Sequence, residues 1–275
     1  EDFAMPVPQC HLDLVISNLK LALLACEGKL AERCGGCNAF PEPLGACPET
    51  NLEMPPPATT FFPGTEPAEL GQISRSLQFG RILWCLARHA SVATVLELFT
   101  GTGGSTSLLA HGLSQHEGLL FTFEQDAANV VHAAHVLQSH GLKAECVDAR
   151  SAAAVAVGAK RGTATAWVLH GDPIVRGNGS LPDDAATGPL ADLCESLGRR
   201  IDLLVLDPTS SLFDEWSVLE AVCRPRLVAI HNTNLQGHPS FWLRGHLLQQ
   251  RWCEVLNGSH PSPWELGVRT WSLFA

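Results

Sequence analysis

Residues 95–106 read Val-Leu-Glu-Leu-Phe-Thr-Gly-Thr-Gly-Gly-Ser-Thr, and this stretch constrains the fold more than any other. A short β-rich run, residues 94–99, feeds a turn holding Gly101, Gly103 and Gly104, and a helical segment follows over 105–113. Glycine accepts positive φ and lets another group approach the backbone closely. An opening helix presents unpaired N–H groups and the positive end of its dipole. Strand, glycine turn and helix in this order belong to a parallel α/β layer, where ligands collect beyond the carboxyl ends of the strands.

The rest of the chain alternates in the same way. Residues 118–123 read as a strand, 127–140 as a helix, 143–147 as a strand and 151–160 as a helix. Residues 201–206 and 227–230 are two more apolar strands with a helix at 212–222 between them, and 252–256 and 268–274 close the chain as a strand pair. Near-continuous apolar strands separated by helices imply a parallel sheet covered on both faces, made mixed by a terminal hairpin. Residues 163–172, containing Ala-Trp-Val-Leu-His, leave two readings open. The segment is either an inserted hairpin, or the true third strand with an extended helical insertion before it.

Before residue 60 the composition changes. Leu12, Val15, Ile16, Leu19, Leu23, Cys26 and Leu30 recur at helical spacing, and a proline-rich stretch from Pro41 to Pro63 then reads as connector. Five of the ten cysteines, Cys10, Cys26, Cys34, Cys37 and Cys47, fall in this segment. Such clustering points to a disulfide or metal staple and weakly to an oxidising or organellar compartment over cytosol. Residues 1–60 are thus expected to be a helical, Cys/Pro-rich extension, suited to homodimer contacts or docking, and 61–275 the main domain. A helix over 68–90 opens that domain, with Leu70, Ile73, Leu77, Ile82, Leu83 and Leu86 as its apolar set. A formal charge of -10 makes nucleic acid a poor partner, because phosphates need cations. No run is apolar and long enough to read as a membrane span. Asn178-Gly179-Ser180 and Asn257-Gly258-Ser259 match the glycosylation sequon, a pattern too short to settle the compartment by itself.

Three ligand classes use a glycine turn of this kind. A dinucleotide site wants a third glycine where Thr106 stands, and a phosphate loop wants a Lys-Ser/Thr pair that is absent. The remaining class, a methyl-donor site, places one acid before the turn, here Glu97, and a second at the end of the next strand, here Glu124, where it can accept the ribose hydroxyls.

On these motifs, with the helix "QISRSLQFGRILWCLA" before them and "LLFTFEQD", "IDLLVLDP" and "LVAIHNTN" after, the chain resembles the S-adenosylmethionine-dependent class I methyltransferases. The likeness is to the catechol and caffeoyl-CoA O-methyltransferase-like group, and runs from about Gly71 to the C-terminus. It implies a Rossmann-like, seven-stranded, mostly parallel sheet and S-adenosyl-L-methionine as cofactor, with a small molecule as methyl acceptor. By resemblance, Gly101, Gly103 and Ser105 hold the methionine end, with Glu97 beside them. Glu124 holds the ribose, and Asp148, or Asp172 under the alternative strand assignment, lies near the adenine. Asp207 faces both cofactor and substrate.

The chain also departs from the pattern. Phe99 replaces the first glycine of the motif, and no lysine stands near Ser210, where relatives carry one. The metal-binding positions of the family correspond to Asp207, His231 and Asn232, so Asp207 and Asn232 remain as oxygen ligands and imidazole replaces the third. Magnesium prefers oxygen, which makes a divalent metal doubtful. His231 is the expected general base, paired with Asp207 in the catalytic set, since imidazole titrates near neutrality. The alternative is a non-catalytic methyltransferase-fold protein serving as a structural or assembly subunit.

Overall fold

The computed structural model describes residues 78–89, 92–159, 166–174, 188–198, 200–207, 212–234, 236–250, 252–261 and 268–275. The expected N-terminal extension, its cysteine cluster and the boundary near residue 60 lie outside these residues, as does Asn178.

The described elements are α1 (Gln78–Arg88), β1 (Thr94–Leu98), α2 (Gly104–Leu113), β2 (Leu119–Glu124), α3 (Ala127–Ser139), β3 (Ala144–Asp148) and α4 (Ala152–Gly158). There follow β4 (Ala166–His170), α5 (Pro189–Ser196), β5 (Leu203–Leu206), α6 (Leu212–Val218) and β6 (Leu227–His231). α7 (Pro239–Gln249), β7 (Glu254–Pro261) and β8 (Val268–Phe274) complete the chain, and a single π-turn at Leu219–Cys223 extends α6. One eight-stranded sheet runs in the order β3-β4-β2-β1-β5-β6-β8-β7. All pairings are parallel except β6–β8 and β7–β8. This is a Rossmann-like α/β sheet with an antiparallel hairpin at one edge.

The count is eight rather than the expected seven, and the reason lies with the ambiguous segment. Both candidate third strands form. β4 takes the place beside β2, while β3 is displaced to the outer edge. Their sequences fit those places. Ala-Trp-Val-Leu of β4 is buried on both faces, whereas Glu145 and Cys146 on β3 are exposed, as an edge strand tolerates. Helices α5 and α7 are not part of the sequence expectation. Each opens with proline at its first position, where the missing N–H costs nothing.

Strand residues alternate between two cores. Leu96, Leu98, Phe121, Phe123, Leu204, Leu206, Val228 and Ile230 pack on one face, under α4 to α7. Val95, Leu120, Val168, Leu203, Val205, Leu227 and Ala229 pack on the other, under α1 to α3. Each large side chain so buried contributes roughly 1.5–3 kcal/mol. A disulfide between Cys194 of α5 and Cys223 of the π-turn staples the first face. It involves two of the dispersed cysteines, whose pairing no sequence spacing announces. Trp216 is core, against Trp252, while Trp242 is 55% exposed.

Candidate active site

Glu97 and Glu124 lie on neighbouring strands, on the face that α2 and α3 cover. Their register follows from β1–β2 pairing, which sets Glu97 opposite Thr122 and Leu98 opposite Phe123. Past Leu98, the Phe99 and Thr100 N–H groups both donate to the Phe123 carbonyl, and the chain then turns. Phe99 adopts φ 72, Gly101 φ 53 and Gly103 φ 88. Phe99 thus holds a left-handed conformation, the kind a glycine accepts without strain. A bulky residue there stores strain of about 1–2 kcal/mol.

The two motif glycines do different work. A Cβ on Gly103 would lie 2.9 Å from the Ala133 Cα, so this glycine exists to let α3 approach the turn. A Cβ on Gly101 would meet nothing within 4 Å. Gly103 is also the N-cap of α2, and no side chain caps that helix. Its first amides are therefore left to an outside acceptor. Thr102 Oγ1, between the glycines, is buried with no hydrogen-bond partner.

Glu124 closes this turn from the next strand. The Gly101 N–H donates to its Oε2 at 2.7 Å, and the Asp126 N–H donates to Oε1 at 2.9 Å. A carboxylate offers about four acceptor positions, so two remain for hydroxyl donors. The side chain is only partly buried, and it faces the turn. Open space beside Gly101, an uncapped helix start, an orphaned hydroxyl and a half-committed carboxylate together fit a nucleoside carrying an amino-acid end. That composition is the one expected of S-adenosylmethionine.

Glu97 is sealed inside. It is 1% exposed and accepts from Ser105 Oγ at 2.5 Å, Thr106 Oγ1 at 2.6 Å and Thr122 Oγ1 at 2.8 Å. The Ser105 hydroxyl consequently points inward, and only its backbone amide is placed to meet a ligand. Burial pushes the Glu97 carboxyl up to about 7, the three hydroxyls opposing and the Asp207 charge adding to the rise.

The second half of the site is built at the ends of β5 and β6. Asp207 follows β5 with its side chain 23% exposed, while His231, the last residue of β6, is 0% exposed. His231 Nδ1 lies 2.9 Å from Asp207 Oδ1, and its ring stacks on Phe79 at 5.5 Å. Asn232, at φ 63, donates through Nδ2 to the same Oδ1 at 2.9 Å. Arg269 Nη1 in turn donates to Asn232 Oδ1 at 3.2 Å. Burial alone would raise the Asp207 pKa, but His231, with help from His238 and Arg269, outweighs it and holds the carboxyl below its usual range.

The Asp207–Asn232 pair does not fit a divalent cation. The Asn232 oxygen accepts from a guanidinium, and its NH2 faces Asp207. Among the described residues there is no group of three or more His, Cys, Asp or Glu arranged to hold a metal ion.

His231 therefore stands behind Asp207, which is the partly exposed member of the pair. Beside Glu124, on the side away from β1, lies β4, and the Gly171 N–H donates to the Glu124 carbonyl at 2.9 Å. Asp172 is one residue beyond that contact. Asp148 ends the outer strand, exposed and paired with Arg150 at 2.8 Å, so the alternative residue takes the inner position. His238 is a further site residue not singled out in the sequence. It is within electrostatic reach of Asp207, and its Nδ1 accepts from the Ser240 N–H at 3.3 Å to cap α7. The signal for it was the Pro239 that follows, a marker of a helix start.

No family model and no curated protein matches the chain. Several solved structures do. An O-methyltransferase from Bacillus cereus, in complex with SAH, has 12% identity and a TM-score of 0.47, over 100% of this chain and 94% of that one. The O-methyltransferase TomG from Streptomyces achromogenes, involved in tomaymycin synthesis and in complex with SAM, has 16% identity and a TM-score of 0.43, over 98% and 99%. A methyltransferase from Geobacter sulfurreducens has 21% identity and a TM-score of 0.41, over 71% and 78%. At such distances the functional reading has to come from the chain's own residues.

Proposed function

We propose that this chain is an S-adenosylmethionine-dependent methyltransferase that methylates a hydroxyl of a small molecule. The observation that carries the reading is the Glu124 carboxylate bonded to the Gly101 N–H, across from the uncapped start of α2. Glu124 would accept the ribose hydroxyls, and the amides opening α2, around Ser105, would grip the carboxylate of the methionine end. Gly101 gives the ligand room, and Asp172 stands on the adenine side. Glu97 would hold the turn in shape from within, through Ser105 and Thr106.

When bound, the cofactor supplies an activated methyl group on sulfur. Asp207 would orient the acceptor hydroxyl in line with that methyl, because holding the reacting atoms aligned is the enzyme's main contribution to such a transfer. The Asp207–His231 pair would take up the proton that the acceptor hydroxyl gives up on methylation. His231 acts there through Asp207, as its positioning partner.

Calorimetric titration of the folded chain with S-adenosylmethionine and with its demethylated product tests the reading. Binding is expected, and Glu124→Ala should weaken it about 100-fold, the loss of two charge-assisted hydrogen bonds at roughly 1.5 kcal/mol each. A folded chain that binds neither compound would overturn the proposal and favour the non-catalytic subunit.

A further inference from the structure

We infer that Asn257 is an N-linked glycosylation site, and that the chain matures in an oxidising compartment where such glycans are added. The sequon Asn257-Gly258-Ser259 is necessary for this and common by chance, so placement decides its weight. Asn257 and Ser259 are both exposed, two residues apart on one strand and hence on one side of it. Their strand, β7, is the outermost of the sheet and, among the described residues, pairs only with β8. A cleft of about 380 Å³ opens beside Asn257, bounded by Phe241, Arg244, Gly258 and Thr270, and leaves room for a first sugar. The Asn257 amide donates to Glu254 Oε2 at 3.2 Å, and a glycosylated amide keeps one N–H with which to do so.

The compartment has separate support. Cys194 and Cys223 form a disulfide with both residues 0% exposed, and Cys253 is also disulfide-bonded. Three of the five cysteines among the described residues are thus oxidised, which is rare where glutathione keeps thiols reduced. Oxidised core cysteines and an accessible sequon are two independent marks of one route. A sugar on β7 would also block the unpaired backbone groups of an edge strand, which otherwise invite pairing with another chain. In the modification, Asn257 Nδ2 forms a bond to C1 of the first sugar of a lipid-diphosphate-linked oligosaccharide. The C1–oxygen bond to diphosphate breaks, and the amide proton leaves with the lipid diphosphate.

The test is to express the full chain behind a secretory signal in a eukaryotic cell and treat total cell material and medium with peptide N-glycosidase in heavy-oxygen water. The peptide containing residue 257 should be recovered as isotopically labelled Asp. Non-reducing peptide mapping should join Cys194 to Cys223. Asn257→Gln and Ser259→Ala should each abolish the label at 257, with Ser259→Thr retaining it, and Asn178→Gln should leave it unchanged. Recovery of unmodified Asn257 overturns the inference whether or not the disulfide forms, and an unformed Cys194–Cys223 bond overturns the compartment.

Discussion

Glu97, one residue from the end of β1, and Asp207, just past β5, belong to adjacent strands of one sheet, yet their surroundings push them in opposite directions. Glu97 has three hydrogen-bond donors but all are neutral hydroxyls, and burial prevails, lifting its pKa to about 7. Asp207 is also penalised by burial, but an imidazole at 2.9 Å and a nearby guanidinium reverse the outcome. Counting hydrogen bonds does not predict the charge state of a carboxylate. What differs is the company each acid keeps: neutral hydroxyls around Glu97, ionisable nitrogen groups around Asp207. The β1 half is accordingly a structural clasp, and the β5–β6 half is the one to which the proposed function gives the substrate.

The largest effect that would break this contrast is expected at Glu97. Replacing it with alanine strands three buried hydroxyls, and should cost about 4 kcal/mol in denaturant unfolding. A loss under about 1 kcal/mol would mean that Glu97 is no clasp. Next comes pH. Between 4.5 and about 7 the unfolded chain sheds a proton that folded Glu97 keeps, so stability falls as pH rises through that window and levels above it. The loss should amount to about 3 kcal/mol. Glu97→Gln should remove that slope, read as the difference between the two proteins' unfolding curves at pH 5 and pH 8. Asp207, with a lowered pKa, contributes on the acid side instead, its stabilisation disappearing as pH falls below the ordinary carboxylate range.

The glycines sharpen the comparison within the clasp. Gly103→Ala must displace backbone of α3 and should cost about 2–3 kcal/mol, whereas Gly101→Ala bears only the left-handed φ and should cost about 1 kcal/mol. Equal losses would show that packing against Ala133 is not what Gly103 is for. At the other half, His231→Ala removes a buried hydrogen bond and a ring stack, for about 2 kcal/mol. It should raise the Asp207 pKa, visible by carbon NMR of the carboxyl, while leaving cofactor affinity within about twofold.

Much of this was legible in the chain. The run from Val95 to Thr106 announced its strand, turn and helix because apolar periodicity and glycine chemistry agreed there. Glu124 could be placed from one strand–helix–strand spacing. The order of β3 and β4 could not be read, because two short strands with an insertion between them can add to a sheet edge in either order. Helices α5 and α7 were missed for want of a long periodic stretch. The Ser105 hydroxyl turned inward because a buried acid two residues before Phe99 claims it, a tertiary contact that spacing does not reveal. The inner rank of His231 behind Asp207 depends on Phe79, more than a hundred residues away.

The close approach of Ala133 to Gly103 has one more consequence. With no Cβ between them, the turn and α3 share a van der Waals surface, and Asp126, whose side chain caps α3, has its own N–H on Glu124. A ligand gripping the turn and Glu124 therefore clamps the start of a helix it need not touch. Deuterium uptake at residues 128–131 should slow when such a ligand binds, making that helix a remote gauge of occupancy.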